Sequence, residues 1–329
     1  MTLPLLPTTG VGSFPKPDAD KKAKGKLNNR SKQLTQDFIK QQEQLGIDVL
    51  VDGEFYRGDM ATDYGRVLEL PIADWTRSYG NRFWKKPIVD RPLIAKQALQ
   101  TEPYIYAQSL TTKPVKGMLT GPTTLANWSL HTYYKKREDR ILAYADIVNF
   151  EAKELQKAGA KYIQVDEPAI GEYHWEAELF NEGLQRALSG INAYIIMHIC
   201  YGDYNLIYSR LKSKDLPVHQ VDIELANDLD RPEQSELITQ MKKDPFTQYK
   251  DVAVGVIDIR PDAPVEDIDT VVRRIKTAID VLGPTPDLLQ RIWIKPDCGF
   301  RTHKNQTTAY AKMKVMTEAV KKVREEYVL

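Results

Sequence analysis

The chain predicts an α/β fold, a closed (β/α)8 TIM barrel, from three observations. Short β-branched runs alternate with longer amphipathic ones, which is the pattern of strands exchanged with helices. Eight strand candidates can be counted along the 329 residues. Polar residues capable of chemistry follow seven of those eight, and in a barrel all such strand ends converge on one mouth.

The elements follow in order. A first strand is expected over 8–11, then a long polar loop over 16–29. A helix is expected over 33–45, with Leu34, Phe38, Ile39 and Leu45 on roughly one face. The second strand is expected over 48–52. Residues 61–114 are too many for a simple connection. They hold Trp75, Tyr79, Phe83, Trp84 and several prolines, and predict a long insertion after strand 2 with a small hairpin or an extra helix. The remaining strands are expected over 115–120, 162–165, 194–198, 220–223, 252–259 and 291–294. Helices are expected over 139–157, stopped by Gly159, and over 265–281 and 307–327. No repeat, linker or change of composition divides the chain, so residues 1–329 are expected to form one catalytic barrel domain.

Bulk composition narrows the function. Hydrophobic residues make up 42% and charged residues 28%, as in an ordinary globular protein with a large core. The net charge of +1 gives no case for a nucleic-acid partner. No apolar stretch reaches membrane-spanning length, and residues 1–7 lack the charged start of a signal peptide, so no membrane and a cytoplasmic location are expected. The lysine run at Lys21, Lys22, Lys24 and Lys26 reads as a solvated loop. The two cysteines, Cys200 and Cys298, lie 98 positions apart, and a reducing compartment disfavours a disulfide between them.

The strand ends carry the chemistry. Gly12-Ser13 follows the first, Gly53-Glu54 the second, and Asp166-Glu167-Pro168 the fourth. The fifth ends in His198-Ile199-Cys200, the sixth near Glu224, the seventh at Asp258-Ile259-Arg260 and the eighth in Asp297-Cys298-Gly299. Strand ends are often polar only because they meet water, and one such residue proves nothing. Both cysteines of the chain at such ends is a sharper signal. His198 and Cys200 share one side of a strand. With Glu224 and Cys298 they make a set of one imidazole, two thiolates and one carboxylate, which suits Zn2+. Three anionic ligands more than cancel the metal charge, so the centre is a poor generator of hydroxide and better suited to holding a substrate thiol as thiolate. A closed structural zinc site uses the same ligand types. The other histidines, His131, His174, His219 and His303, read as surface or supporting residues.

At these residues the chain resembles the C-terminal catalytic barrel of cobalamin-independent methionine synthase, over nearly its whole length. The segments that carry the resemblance are Thr8–Pro15, Val49–Phe55, Ser78–Arg82, Lys116–Pro122, Asn127–Ser129, Asp166–Ala169, His198–Tyr201 and Pro296–Gly299, in that order. The resemblance implies that His198, Cys200, Glu224 and Cys298 bind zinc. It implies that Val11, Gly12 and Ser13 hold the homocysteine carboxylate while Glu54 and Asp166 take its ammonium group. Arg82, Trp128 and Glu172 match the family's methyl-folate contacts. The implied reaction is methyl transfer to the thiol of homocysteine, giving methionine in amino-acid biosynthesis.

The chain departs from the family pattern in three places. The family's full-length enzymes carry a further N-terminal barrel, for which 329 residues leave no room. Phe83 stands where the family has a cysteine beside Arg82. Where the family places a proton-donating histidine after the seventh strand, this chain reads Val256-Ile257-Asp258-Ile259-Arg260. An arginine stays charged and is a poor general acid. A folate nitrogen needs protonation to leave, whereas a corrinoid cobalt does not. The expected donor is therefore a methyl-corrinoid, free or on a carrier protein, with methyltetrahydrofolate as the other option. Asp166, Asp258 and Arg260 are the expected catalytic positions. The alternatives are a zinc-thiol alkyl transferase acting on a coenzyme M-type thiol, a non-catalytic barrel with structural zinc, and a metal-free decarboxylase-like barrel.

Overall fold

The computed structural model describes residues 3–17, 25–77, 83–283 and 285–327. Nine strands are named among them: β1 (Ile72–Arg77), β2 (Phe83–Val89), β3 (Lys116–Thr120), β4 (Leu130–His131), β5 (Tyr162–Asp166), β6 (Tyr194–His198), β7 (Gln220–Ile223), β8 (Asp251–Ile257) and β9 (Ile292–Pro296). Six of them, in the order β3-β5-β6-β7-β8-β9, form one parallel sheet. Two further staves close it into a ring. Ile294 of β9 bridges Thr8, Thr9 bridges Val49, and Leu50 bridges Val115 just ahead of β3, all in parallel. Eight staves therefore surround one lumen, in the sequence order of a (β/α)8 barrel.

The two closing staves are shorter than the runs expected over 8–11 and 48–52. Side chains add to the backbone ladder there. Gln42, from the helix Asn29–Gln44, accepts from the Val51 N–H at 3.0 Å and donates to the Val51 carbonyl at 2.8 Å. Asp48 Oδ2 accepts from the backbone and the hydroxyl of Thr8, at 2.8 and 2.7 Å. The ring closes through backbone bonds, among them the Thr9 N–H to the Ile294 carbonyl at 3.1 Å and the Lys116 N–H to the Leu50 carbonyl at 2.9 Å, and the amide and carboxylate reinforce them.

Helix starts moved for equally local reasons. The first helix begins at Asn29, not at 33, because Asn28 and Ser31 form a capping box that satisfies its first free N–H groups. The helix expected from 265 begins at Ile268, where the Asp267 carboxylate accepts from the Thr270 N–H at 2.8 Å; such a cap contributes about 1 kcal/mol. Its buried stripe of Val271, Ile275, Ala278, Ile279 and Leu282 faces the sheet.

The strands alternate, so the sheet has two differently packed faces. Outward residues such as Ile163, Val165, Ile195 and Met197 join the large apolar layer between sheet and helices. Inward residues form a separate small cluster of Val49, Ile196, Ala253 and Trp293, with Tyr162 and Tyr194 packed against it. Tyr194 and Trp293 stack with ring centroids 5.9 Å apart, plugging the lower lumen. Above this plug the lumen turns polar. Lys116, Gln164, Asp222 and Lys295 are fully or almost fully buried there. In-register pairing puts Thr120 beside Asp166, Asp166 beside His198 and His198 beside Asp222 at the upper rim.

The insertion contains both features expected of it. A short helix, Thr62–Val67, leads into the antiparallel pair β1–β2. The pair is joined to β4 beside it, and the helix Thr101–Ser109 returns the chain to β3. Of the lysine run, Lys21, Lys22 and Lys24 lie outside the described residues, as do Ser78–Arg82. Lys16, expected in the polar loop, is instead buried, with Nζ on the Arg57 carbonyl.

Candidate metal centre and substrate cleft

Three strand ends bring the four expected ligands together. His198 closes β6 and Cys200 follows two residues on; Glu224 follows β7; Cys298 follows β9. His198 Nε2 lies 2.8 Å from Cys200 Sγ and 3.3 Å from Cys298 Sγ, and the two sulfurs are 3.0 Å apart. Ligand atoms of all four residues fall within 4.8 Å of one another. Both cysteines are free thiols.

The donor set fits a metal on an observation of its own. Glu224 Oε1 is buried with no hydrogen-bond partner among the described residues, while Oε2 accepts only from the Tyr201 N–H at 3.2 Å. Burial, and then the nearby Asp297, push the Glu224 carboxyl up to about 8. Burial first and Lys295 second hold the His198 imidazole well below its usual range, so it is neutral and offers a lone pair. Hydrogen bonding to Cys298 and burial push the Cys200 thiol well up. Two half-buried thiols, a raised carboxyl and a neutral imidazole form a centre that lacks a positive charge, and one N, two S and one O ligand suit zinc.

Beside this cluster opens a cleft lined by Val11, Gly12, Ser13, Glu54, Asp166, His198, Cys200 and Cys298. The turn after the second stave aims Glu54 into it. Gly53 and Glu54 both have positive φ, 80° and 52°, and the Glu54 N–H is held by Asp52 Oδ1 at 2.9 Å. Glu54 pays the strain of a left-handed non-glycine residue, of order 1 kcal/mol or more, and Arg57 Nη1 steadies its carboxylate at 3.3 Å. Gly12 makes room: a Cβ there would sit 2.6 Å from Glu54 Oε1. Asp166 Oδ1 accepts from Gln164 Nε2 at 2.7 Å. Burial, followed by the Glu54 charge, raises Asp166 to about 7. Ser13 is fixed from both sides, since the Phe300 N–H donates to its carbonyl at 2.8 Å and the Phe14 N–H to the Gly53 carbonyl at 3.0 Å. The cleft is thus lined by the backbone of Val11 to Ser13, the Ser13 hydroxyl and two carboxylates, with that of Glu54 directly beside Gly12.

Trp128 and Glu172 line the outer part of the same cleft with Trp84 and Tyr201. Partial burial raises the Glu172 carboxyl, against the pull of Lys86. Arg82 lies outside the described residues. Asp258 and Arg260 are not among the residues lining the cleft. They bind each other, with Arg260 Nη2 2.6 Å from Asp258 Oδ2 and the Arg260 side chain 66% exposed. Burial raises Asp258, but the bonds from Arg260 outweigh it and keep the carboxyl below its ordinary range. His131 and His303 are half-buried and buried, respectively, away from the cleft.

Sequence reasoning missed Arg57, Asp59, Met60, Arg301 and Thr302, which also line the cleft. Arg57 and Asp59 lie three and five residues after Glu54, with no spacing rule to mark them. Trp84 was visible only as one aromatic in a long insertion.

A barrel whose mouth joins a His-Cys-Glu-Cys group to a carboxylate-lined cleft belongs to the class of α/β-barrel enzymes with a candidate metal centre. The chain belongs to the cobalamin-independent synthase family, whose catalytic domain matches residues 6–322. It is 32% identical to a methionine synthase of Sulfurisphaera tokodaii, over 98% of this chain and 94% of that one. It is also 32% identical to a 5-methyltetrahydropteroyltriglutamate–homocysteine methyltransferase of Thermosynechococcus vestitus, of which it spans 44%. The solved B12-independent methionine synthase of Shewanella sp. W3-18-1, in complex with selenomethionine, shares the fold with a TM-score of 0.83 at 24% identity, over 98% of this chain and 99% of that one. The enzyme is therefore of the methionine synthase type.

Proposed function

We propose that this single barrel transfers a methyl group to the thiol of homocysteine, with zinc held by His198, Cys200, Glu224 and Cys298. The observation that carries the reading is one cleft lined both by the metal-type cluster and by Val11, Gly12, Ser13, Glu54 and Asp166, residue types suited to the carboxylate and ammonium of an amino acid. Zinc, when bound, deprotonates a coordinated thiol and keeps it nucleophilic at neutral pH.

The chain's own residues do the rest. Val11, Gly12 and Ser13 receive the substrate carboxylate. Glu54 and Asp166 receive the ammonium group, and that charge draws the proton off Asp166. The amino-acid end is thereby anchored so that the sulfur reaches the Cys200–Cys298 side. Trp128 offers a flat face to the donor and Glu172 a polar contact, with Arg82 assigned to the same donor by resemblance. In the transfer, a sulfur lone pair forms the new C–S bond and the donor keeps the electron pair of the bond it loses.

The donor reading rests on Asp258 and Arg260. A folate nitrogen has to gain a proton as it leaves. Asp258 is held ionised by Arg260, and Arg260 is permanently charged, so neither supplies that proton at neutral pH. A methyl-corrinoid, free or on a carrier protein, requires none. The two thiols need a reducing compartment to stay available as ligands, which supports a cytoplasmic setting. Among the described residues no helix is long and apolar enough to cross a membrane. A coenzyme M-type acceptor fits less well, because a sulfonate thiol without an ammonium group gains nothing from Glu54 and Asp166.

The test is methionine formation by the zinc-loaded protein from homocysteine, with methylcobalamin and methyltetrahydrofolate offered separately. Turnover with methylcobalamin alone is the expected result. Rapid turnover with the free folate would refute the donor assignment. Methylation of a sulfonate thiol in preference to homocysteine would refute the acceptor.

A further inference from the structure

Beneath the four proposed ligands lies an ion pair that the cleft does not touch. Lys295 of β9 and Asp222 of β7 are 0% exposed, and Lys295 Nζ lies 2.5 Å from Asp222 Oδ1. An ammonium group has three donors. Two of them donate to the Pro296 carbonyl at 3.0 Å and the Asp297 carbonyl at 2.7 Å. The Asp297 carbonyl belongs to the peptide that leads directly into Cys298. On its other side Asp222 Oδ1 stands 3.3 Å from His198 Nδ1; neither Asp222 oxygen nor His198 Nδ1 has a hydrogen-bond partner among the described residues, so these are charge contacts between buried groups that have no other partner.

Burying a carboxylate and an ammonium costs several kcal/mol per ion before their attraction offsets it, and an apolar pair of similar volume is often as stable. The pair is therefore a poor device for holding the barrel together. Its geometry serves something else. Standing on β7 and β9, it links His198 at the end of β6 to the backbone just ahead of Cys298, and so connects two proposed ligands of one centre. A carboxylate standing beside Nδ1 favours the tautomer that carries its hydrogen there, which leaves the Nε2 lone pair toward the sulfurs of Cys200 and Cys298.

We propose that Asp222 and Lys295 are positioning residues of the metal centre: Asp222 orients His198 through Nδ1, and Lys295 ties that carboxylate to the backbone ahead of Cys298. Two of the four ligands are thereby placed before a metal arrives. The inference rests on the zinc reading above and names what supports it from below.

Zinc affinity of the full-length apoprotein, measured by competition with a chromophoric chelator, tests this without reference to turnover. Asp222→Asn should weaken zinc binding about 10–100-fold, and the visible absorption of the cobalt-substituted protein should shift in band position or intensity. The double variant Asp222→Asn/Lys295→Met removes both buried charges and relieves any instability caused by an unpaired lysine. It should regain thermal stability yet keep the weak affinity. A merely structural pair predicts the reverse, with affinity returning alongside stability. If Asp222→Asn fails to fold, the double variant alone decides, by the same affinity criterion. A folded variant that binds zinc within twofold of the wild type, with an unchanged cobalt spectrum, overturns the inference. Failure of the wild-type protein to bind zinc at all would instead bring down the metal reading itself.

Discussion

The two sides of the cleft are built differently. The thiol side hangs on the ends of β5, β6, β7 and β9, and beneath it runs a buried polar floor from Lys116 through Gln164 to Asp166 and from Lys295 through Asp222 to His198. The side proposed for the donor rests on short and peripheral pieces. Trp128 caps the six-residue helix Pro122–Asn127, Glu172 ends the four-residue helix Ala169–Glu172, and Trp84 stands on β2 of the outlying ribbon. Trp75 and Trp175, 65% and 68% exposed, lie near it in sequence on the ribbon and after Glu172. Bond formation at sulfur needs placement to a fraction of an ångström, which rigid strands supply. Holding a large flat donor needs area more than precision, and loops supply that.

That contrast orders the expected effects. Cys298→Ser removes a ligand from the rigid side; it should lose zinc and lower methionine formation on the order of 10⁴-fold. Metal content and turnover measured on the same sample check this, and full zinc with full activity would erase the distinction. Asp166→Asn keeps the ligands but loses a charged partner for the substrate ammonium. Zinc content should be unchanged and KM for homocysteine should rise about 10–100-fold, the effect of one charge-assisted bond of roughly 1.5–3 kcal/mol.

The pH dependence of homocysteine binding sharpens the same side. Asp166 is raised to about 7, so below that pH its carboxyl is protonated and the attraction for an ammonium group is lost. KM for homocysteine should therefore fall as pH rises from about 6 to 8, by up to about tenfold per unit below the pKa. The slope should disappear in Asp166→Asn; a slope that survives there would assign the titration to another group. On the donor side, Trp128→Ala should raise KM for the donor about tenfold or less, the worth of one stacked ring at roughly 0.5–1.5 kcal/mol. Zinc affinity and KM for homocysteine should not move. A large loss of zinc in this variant would mean that the two sides are not independent.

The metal-type cluster was legible because its residues are rare and sit at strand ends. Two cysteines in the whole chain and a His-x-Cys at the end of a β-run leave few other readings. Glu54 was legible as the polar residue that follows the second expected strand, with its role supplied by the family resemblance. Arg57, Arg301 and Thr302 were not legible, because what recruits them is proximity across the mouth. The closing staves were only half legible, since they pair over fewer residues than the period-2 pattern assumes and lean on Gln42 and Asp48 besides. Asp258 and Arg260 were placed correctly after the seventh barrel stave, but only coordinates could show that they turn to each other.

By itself the sequence determined the alternation of strands and helices, the eight staves and the inventory of groups at their ends. Each of these follows from local periodicity, capping and composition, which act over a few residues. The tertiary structure alone decided which end groups meet, which lysines are buried and which carboxylates are raised. Those depend on barrel closure and strand register, which bring residues 100 positions apart, such as His198 and Cys298, to 3.3 Å.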